Sequence, residues 1–257
     1  MIKFFRKIRQ DLLSKGKTGK YFKYAVGEII LVVIGILIAL GINNLNQNRI
    51  NNEKQIEYLI GIKVDLEKQL KSFNESNQFY IQIIDMAESI LINFSSSGKM
   101  SQIDSLNSKI SVLMYTNKYP EISTTFKELN STGQLTLIKE KTLRSQIIKY
   151  YQNSLFYQKY VDGNTENVIY NQIFPVMKSS IIISPKNFGF ENQKINLEDN
   201  FKSSLNNILS NPNKEFELAN VISLRIVVAN SNKNLVERAK NEAELLLKEI
   251  KNELNDN

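Results

Sequence analysis

A chain of 257 residues with 33 Lys/Arg, 26 Asp/Glu and no Cys, His or Trp carries a net charge of +7 and a restricted set of chemistries. Without cysteine there is no disulfide framework, thiolate metal site or nucleophilic thiol, and without histidine no Ser–His–Asp arrangement or imidazole metal site. The charge is no nucleic-acid footprint, because residues 1–23 hold eight basic residues against Asp11, while residues 43–257 hold 25 basic and 24 acidic ones.

Residues 1–23 form the basic segment. Ile2, Phe5, Ile8 and Leu12 recur at helical spacing between basic residues. This pattern predicts an amphipathic helix lying on anionic lipid headgroups, each Lys/Arg contributing about 1 kcal/mol near such a surface. Ser14–Lys20 reads as a polar hinge. Gly16-Lys17-Thr18 is no phosphate loop, since Asp11 stands where that motif needs its first glycine.

Residues 24–45 are the predicted transmembrane helix. Ile29–Ile42 contains no charge, and Tyr24–Ile42 is broken only by Glu28. About 20 apolar residues cross a hydrocarbon core, and the segment is apolar on every face, unlike a surface helix. Ala39-Leu40-Gly41 has the outline of a signal-peptide cleavage site, but the long basic region before it and the unbroken helix propensity after it favour a retained anchor. Basic residues crowd before the span, and only Arg49 and Lys54 follow closely after it. The expected topology is therefore a single-pass inner-membrane protein, with its N-terminus cytoplasmic and residues 46–257 periplasmic. Glu28 is a functional candidate because ionisable groups are expensive in lipid, although at this depth it can reach the interface, Lys20 or Lys23 by snorkelling. Gly27, Gly35 and Ala39 share one small face, which together with Glu28 makes a candidate transmembrane contact.

The body, residues 46–257, is expected to be all-α: a bundle of long antiparallel helices. Asn43–Asn52 reads as a polar stalk. Ile56, Leu59, Leu66, Leu70, Phe73, Tyr80, Ile84, Ala87, Leu91 and Phe94 follow a heptad register interrupted by Lys63 and Asn77, which predicts one long helix ending at Ser95–Lys99. A second helix is predicted after Ser101, with Ile103, Leu106, Ile110 and Leu113 inward. Pro120 marks a loop over Asn117–Ser123, and Thr125 with Glu128 suggests a capping box for a short helix closed by Gly133. Leu143 to about Met177 is predicted as a long Tyr-rich helix ended or kinked by Pro175. Ile181–Lys194 is the least helical stretch, a loop or small hairpin. Phe201–Leu209 predicts a short helix stopped by Asn211-Pro212, and Lys214–Leu254 a final one with Phe216, Ala219, Ile222, Ile226, Leu235, Ala239, Leu246 and Ile250 in its apolar stripe.

The chemistry left open is Ser–Lys catalysis, carboxylate pairs and oxygen-ligand cation sites, and no spacing singles any of them out. No enzymatic activity, metal or cofactor is expected. The candidate interaction surface is Glu128, Gly133, Arg144, Tyr150 and Tyr151, a sharp turn joined to a charged pair and aromatics. The same residues also suit a helix–turn–helix corner in which Gly133 caps, Glu128 caps or pairs with Arg144, and the tyrosines pack in the core. Three functions remain: an envelope interaction or scaffold module binding another envelope protein or itself, a ligand-sensing ectodomain working through a membrane partner, and an enzyme using carboxylates or Ser/Lys. An exposed apolar patch on the body favours the first, and a deep polar pocket favours the others.

Phe4–Arg9, Lys20–Ile29 and Val32–Leu40, with the central block Phe126–Leu135, Leu143-Arg144 and Tyr150-Tyr151, resemble a domain-of-unknown-function family of bacterial single-pass membrane proteins. The resemblance implies the anchor and the helical body and brings no activity with it. Leu45 stands where many members carry Trp, so one interfacial anchor is missing here.

Overall fold

The computed structural model describes residues 18–190 and 198–256 together with Arg6, Gln10, Asp11 and Ser14. Apart from those single positions, the amphipathic helix expected over residues 1–13 lies outside the described residues, as do residues 191–197 at the end of the irregular stretch. Among the described residues every regular element is helical. The chain divides into two compact units, residues 1–57 and 58–257.

Helix α1 (Thr18–Ser97) runs through 80 residues and enters both units. In the first unit it is long and apolar enough to cross a membrane, and none of its apolar window is buried by protein. The stretch expected as a stalk is helical. Side-chain pairs one turn apart support it, from Gln47 to Asn51 at 3.0 Å and from Arg49 to Glu53 at 2.9 Å.

The second unit is built on three long helical runs. They are the later part of α1, then α4 (Lys141–Gly163), and finally α7 (Pro212–Asp256). Lys251 pairs with Glu67, and Arg225 acts on Tyr80, so α7 runs opposite to α1. Glu242 binds Asn153 and Tyr157, while Asn232 binds Asn164, so α7 also runs opposite to α4. Shorter helices α2 (Leu106–Leu113), α3 (Thr124–Ser131), α5 (Phe174–Ser179) and α6 (Glu198–Leu209) close the flanks.

The buried seam of α1 is Leu59, Ile62, Leu66, Gln69, Phe73, Ser76, Tyr80, Ile83, Ala87 and Ile90. Every second position of the expected register is therefore displaced by one residue, and the apparent breaks at Lys63 and Asn77 vanish. The displacement admits Gln69 and Ser76 for a reason. Gln69 binds the loop backbone at both Pro120 O and Ile122 N, and Ser76 Oγ accepts from Asn117. A loop without regular structure needs such partners when buried. At Gly61 α1 meets α3 closely, and a Cβ there would lie 2.8 Å from Thr125 Cγ2.

Two other local expectations change, and a third gains detail. Residues 100–102 form a 3₁₀ turn, so α2 begins at Leu106 and not after Ser101. The capping box of Thr125 and Glu128 does not form, because α3 starts at Thr124 and Asp65, reaching across from α1, accepts from Thr125 N at 2.8 Å. The long Tyr-rich run ends at Ser179, close to the expected Met177, and departs from α geometry before Pro175. It passes from α4 through a π-helical segment, Asn164–Ile173, into α5, where Pro175 falls in the first turn. A proline ring crowds the carbonyl four residues back, and a widened π turn relieves that crowding.

Candidate interaction surface

The sequence-chosen corner is assembled mainly from α3, the turn after it and the start of α4. Gly133 takes φ 68°, the left-handed conformation that terminates α3. Glu128 does not pair with Arg144. The Tyr58 hydroxyl lies 2.9 Å from Gln134 Oε1 and 3.3 Å from Glu128 Oε1, the two sharing its single proton, and Arg144 donates to the Ile138 carbonyl at 3.2 Å. Glu140 caps α4 by accepting from the Thr142 and Leu143 amides, and these bonds hold its carboxyl below the usual carboxylate range.

Tyr150 and Tyr151 are buried. Tyr151 stacks on Phe126 with ring centroids 4.1 Å apart, and Tyr150 meets Tyr151 edge-on at 5.0 Å. Neither hydroxyl has a hydrogen-bond partner, and burial pushes both phenols well above their ordinary value. The corner therefore presents little aromatic surface of its own, and its aromatics serve the core.

An exposed aromatic pair, Phe156 and Tyr160, lies on the other flank of α4. Lys149, Asn153, Phe156 and Tyr160 recur at the i, i+4, i+7, i+11 spacing of a single helix face. On α7, Arg238, Glu242, Leu245 and Glu249 repeat that spacing in the opposite direction. Along one end of the two stripes lies a groove of about 310 Å³ floored by Tyr150 and Leu246 and bordered by Lys149, Asn153, Glu242, Leu245 and Glu249; Phe156, Tyr160 and Arg238 continue the stripes beyond it. Glu242 is fixed there by Tyr157 Oη at 2.8 Å and Asn153 Nδ2 at 3.0 Å. Burial and the neighbouring Glu242 raise the Tyr157 phenol to about 12. Phe156, Tyr160 and Leu245 are 56%, 55% and 67% exposed, large apolar side chains left in water beside a closed core.

A buried polar cluster lies in the same body, and sequence reasoning did not find it. Arg225 on α7 is fully buried, and its Nε and Nη2 donate to the Leu113 and Tyr115 carbonyls at 3.0 and 2.9 Å. Burial lowers its pKa to about 10. Asn232, two turns further, accepts from Asn164 at 2.7 Å, at the start of the π segment, and the buried Tyr80 hydroxyl in this region has no hydrogen-bond partner and is raised by burial to about 12. The cluster ties the C-terminal end of α2 to three other helical runs. It is a strut at the centre of the body. The signal that could have revealed it is the spacing of Leu218, Ile222, Arg225, Ala229, Asn232 and Val236, which places an arginine and an asparagine on an apolar face.

In the first unit Glu28 borders a shallow groove with Ala25, Ile29, Val32 and Val33, and Gly27 and Gly35 leave open space where a Cβ would stand. Ala39 lies on the same exposed stretch. No group of three or more metal-ligating side chains occurs among the described residues.

Residues 28–210 match the family described as a family of unknown function, DUF6090, and the chain belongs to it. The matched region starts at Glu28 and ends just before α7. No curated protein and no solved structure matches the chain.

Proposed function

We propose that this member of the family is a membrane-anchored interaction module of the bacterial envelope. In this reading residues 1–23 lie on the cytoplasmic side, the apolar part of α1 spans the inner membrane, and the body works in the periplasm. The basic flank before the span and the unburied apolar window support the anchor. The observation that carries the functional reading is the exposed stripe of Phe156, Tyr160 and Leu245 along the seam of α4 and α7. Each large apolar side chain that is left in water forgoes about 1.5–3 kcal/mol of burial free energy, and aromatic side chains rimmed by charges are the composition of binding hot spots. An open groove with a charged border suits a macromolecular partner better than an enclosed pocket for a small ligand. On this reading the protein binds and does not catalyse.

The test is photo-crosslinking in living cells from a probe placed at Tyr160, with the adducts identified by mass spectrometry. Adducts with one or more defined envelope chains are the expected outcome. A probe at Tyr160 that captures no protein, while the chain fractionates with membranes and is folded, would sink the reading.

A further inference from the structure

The seam has a property that an arbitrary binding face lacks: it is complementary to itself. Its α4 edge carries the cation Lys149 and the aromatics Phe156 and Tyr160. Its α7 edge carries the anion Glu249 and the cation Arg238. Because the helices run in opposite directions, Lys149 and Glu249 border the same end of the groove. Arg238 lies one turn past Glu242, beyond the groove, where its charge acts on Tyr157, whose ring neighbours Phe156, itself 5.6 Å from Tyr160. Lys149, Glu249 and Arg238 form no ion pair within the described residues.

We propose that this seam docks on the same seam of a second copy of the chain, about a two-fold axis parallel to the helices. Naming the second copy as occupant rests on the reading of the seam as an interaction surface. A rotation of 180° about that axis keeps every residue at its own height and sets α4 of one copy over α7 of the other. Lys149 then meets the partner's Glu249 and Tyr160 faces the partner's Arg238, each contact occurring twice. The first is an ion pair at the rim and the second a cation–π contact. Phe156 and Leu245 lie between them, at the centre of the patch, where they lose their exposure. A two-fold axis perpendicular to the helices would instead lay α4 on α4 with the copies pointing in opposite directions. Only the parallel axis brings Lys149 beside the partner's Glu249, and that contact distinguishes the two arrangements.

The experiment uses the full chain, 29.6 kDa, in detergent and in lipid nanodiscs. The mass of two protein chains per particle is expected. Phe156→Asp removes a central anchor and should weaken self-association about 30-fold, the change associated with losing one hot-spot residue. Lys149→Glu and Glu249→Lys should each weaken it, and the double exchange should restore it, which no merely structural role would produce. The absence of native cysteine makes a second arm clean: chains with Lys149→Cys should form disulfides with chains carrying Glu249→Cys when the two are mixed. A monomer under all conditions overturns the proposal, as does a dimer that ignores Phe156→Asp and yields no such disulfide. If the chain is monomeric but the Tyr160 probe still captures another envelope protein, self-docking fails and the interaction reading stands. If the probe captures nothing as well, both fail.

Discussion

Replacing Arg225 by Ala is expected to destabilise the body by about 3–5 kcal/mol, from two lost charge-assisted hydrogen bonds and the cavity left behind. The guanidinium makes two bonds of 3.0 and 2.9 Å to the Leu113 and Tyr115 carbonyls, which close the C-terminal end of α2. Bonds to charged groups contribute about 1.5–3 kcal/mol each, and each carbonyl left unsatisfied in the core costs about 1–3 kcal/mol. The lost side chain also leaves a cavity, a change that costs about 2–5 kcal/mol for large aliphatic residues. These contributions overlap, and one opposes them: the cation is held away from water, as its pKa of about 10 records, and Nη1 has no partner. For a unit of this size about 1 kcal/mol moves Tm by about 2–4 °C, so thermal unfolding of the full chain, followed by helical circular dichroism, should shift down by roughly 6–20 °C. Arg225→Met isolates the hydrogen bonds, because it keeps much of the bulk and removes the donors and the charge. A Met variant as stable as the parent would refute the strut, since the desolvation cost would then equal all that the two bonds supply.

Alkaline stability should fall from about pH 10 upward, the ordinary tyrosine value. Burial raises Tyr80 and Tyr157 to about 12 and Tyr119, Tyr150 and Tyr151 further. A raised phenol stays protonated in the fold where the unfolded chain ionises, so its stabilisation is complete below pH 10 and is lost above it; the lowered Arg225 pKa works in the opposite sense over part of that range. Tyrosinate absorbance should rise in two steps, the second coinciding with loss of helix, and a single step near pH 10 for all 11 tyrosines would contradict the burial. Gly61→Ala places a Cβ 2.8 Å from Thr125 Cγ2, an overpacking cost of about 1–3 kcal/mol set against a gain of about 0.5–1 kcal/mol in helix propensity. Thr125→Ala should relieve the clash, so the double variant should be more stable than additivity allows by at least about 0.5 kcal/mol in chemical denaturation, and additive effects would deny the contact. Ile34→Arg adds about 2.5–3.5 kcal/mol to membrane insertion and should deplete the membrane fraction, whereas unchanged fractionation and abundance would refute the anchor.

The two apolar seams show how far periodicity carries and where it stops. Leu59, Leu66, Phe73, Tyr80 and Ala87 in α1 are assigned correctly from spacing because they are apolar and seven residues apart. The alternate positions slip to Leu70, Ile84 and Leu91 because the true ones include Gln69 and Ser76, which polarity alone sends to the surface. The same error recurs in α7, where Arg225 and Asn232 hold core positions while Phe216, expected inside, is exposed. In both helices the misplaced polar residues face backbone groups or side chains far away in sequence. Gln69 and Ser76 serve the loop around Pro120, and Arg225 and Asn232 serve the end of α2 and the start of the π segment. Their presence in a seam is decided by a non-local need for hydrogen bonds, to which a local pattern is blind. The candidate surface follows the same logic. Tyr150 and Tyr151 stand out as a pair, and their helical spacing already suits the core. The exposed stripe through Phe156 and Tyr160 gains meaning only when Glu242, nearly ninety residues away, is placed opposite Asn153 and Tyr157. A sequence holds both stripes at one spacing, but only the antiparallel register of α4 and α7 sets them side by side along one seam.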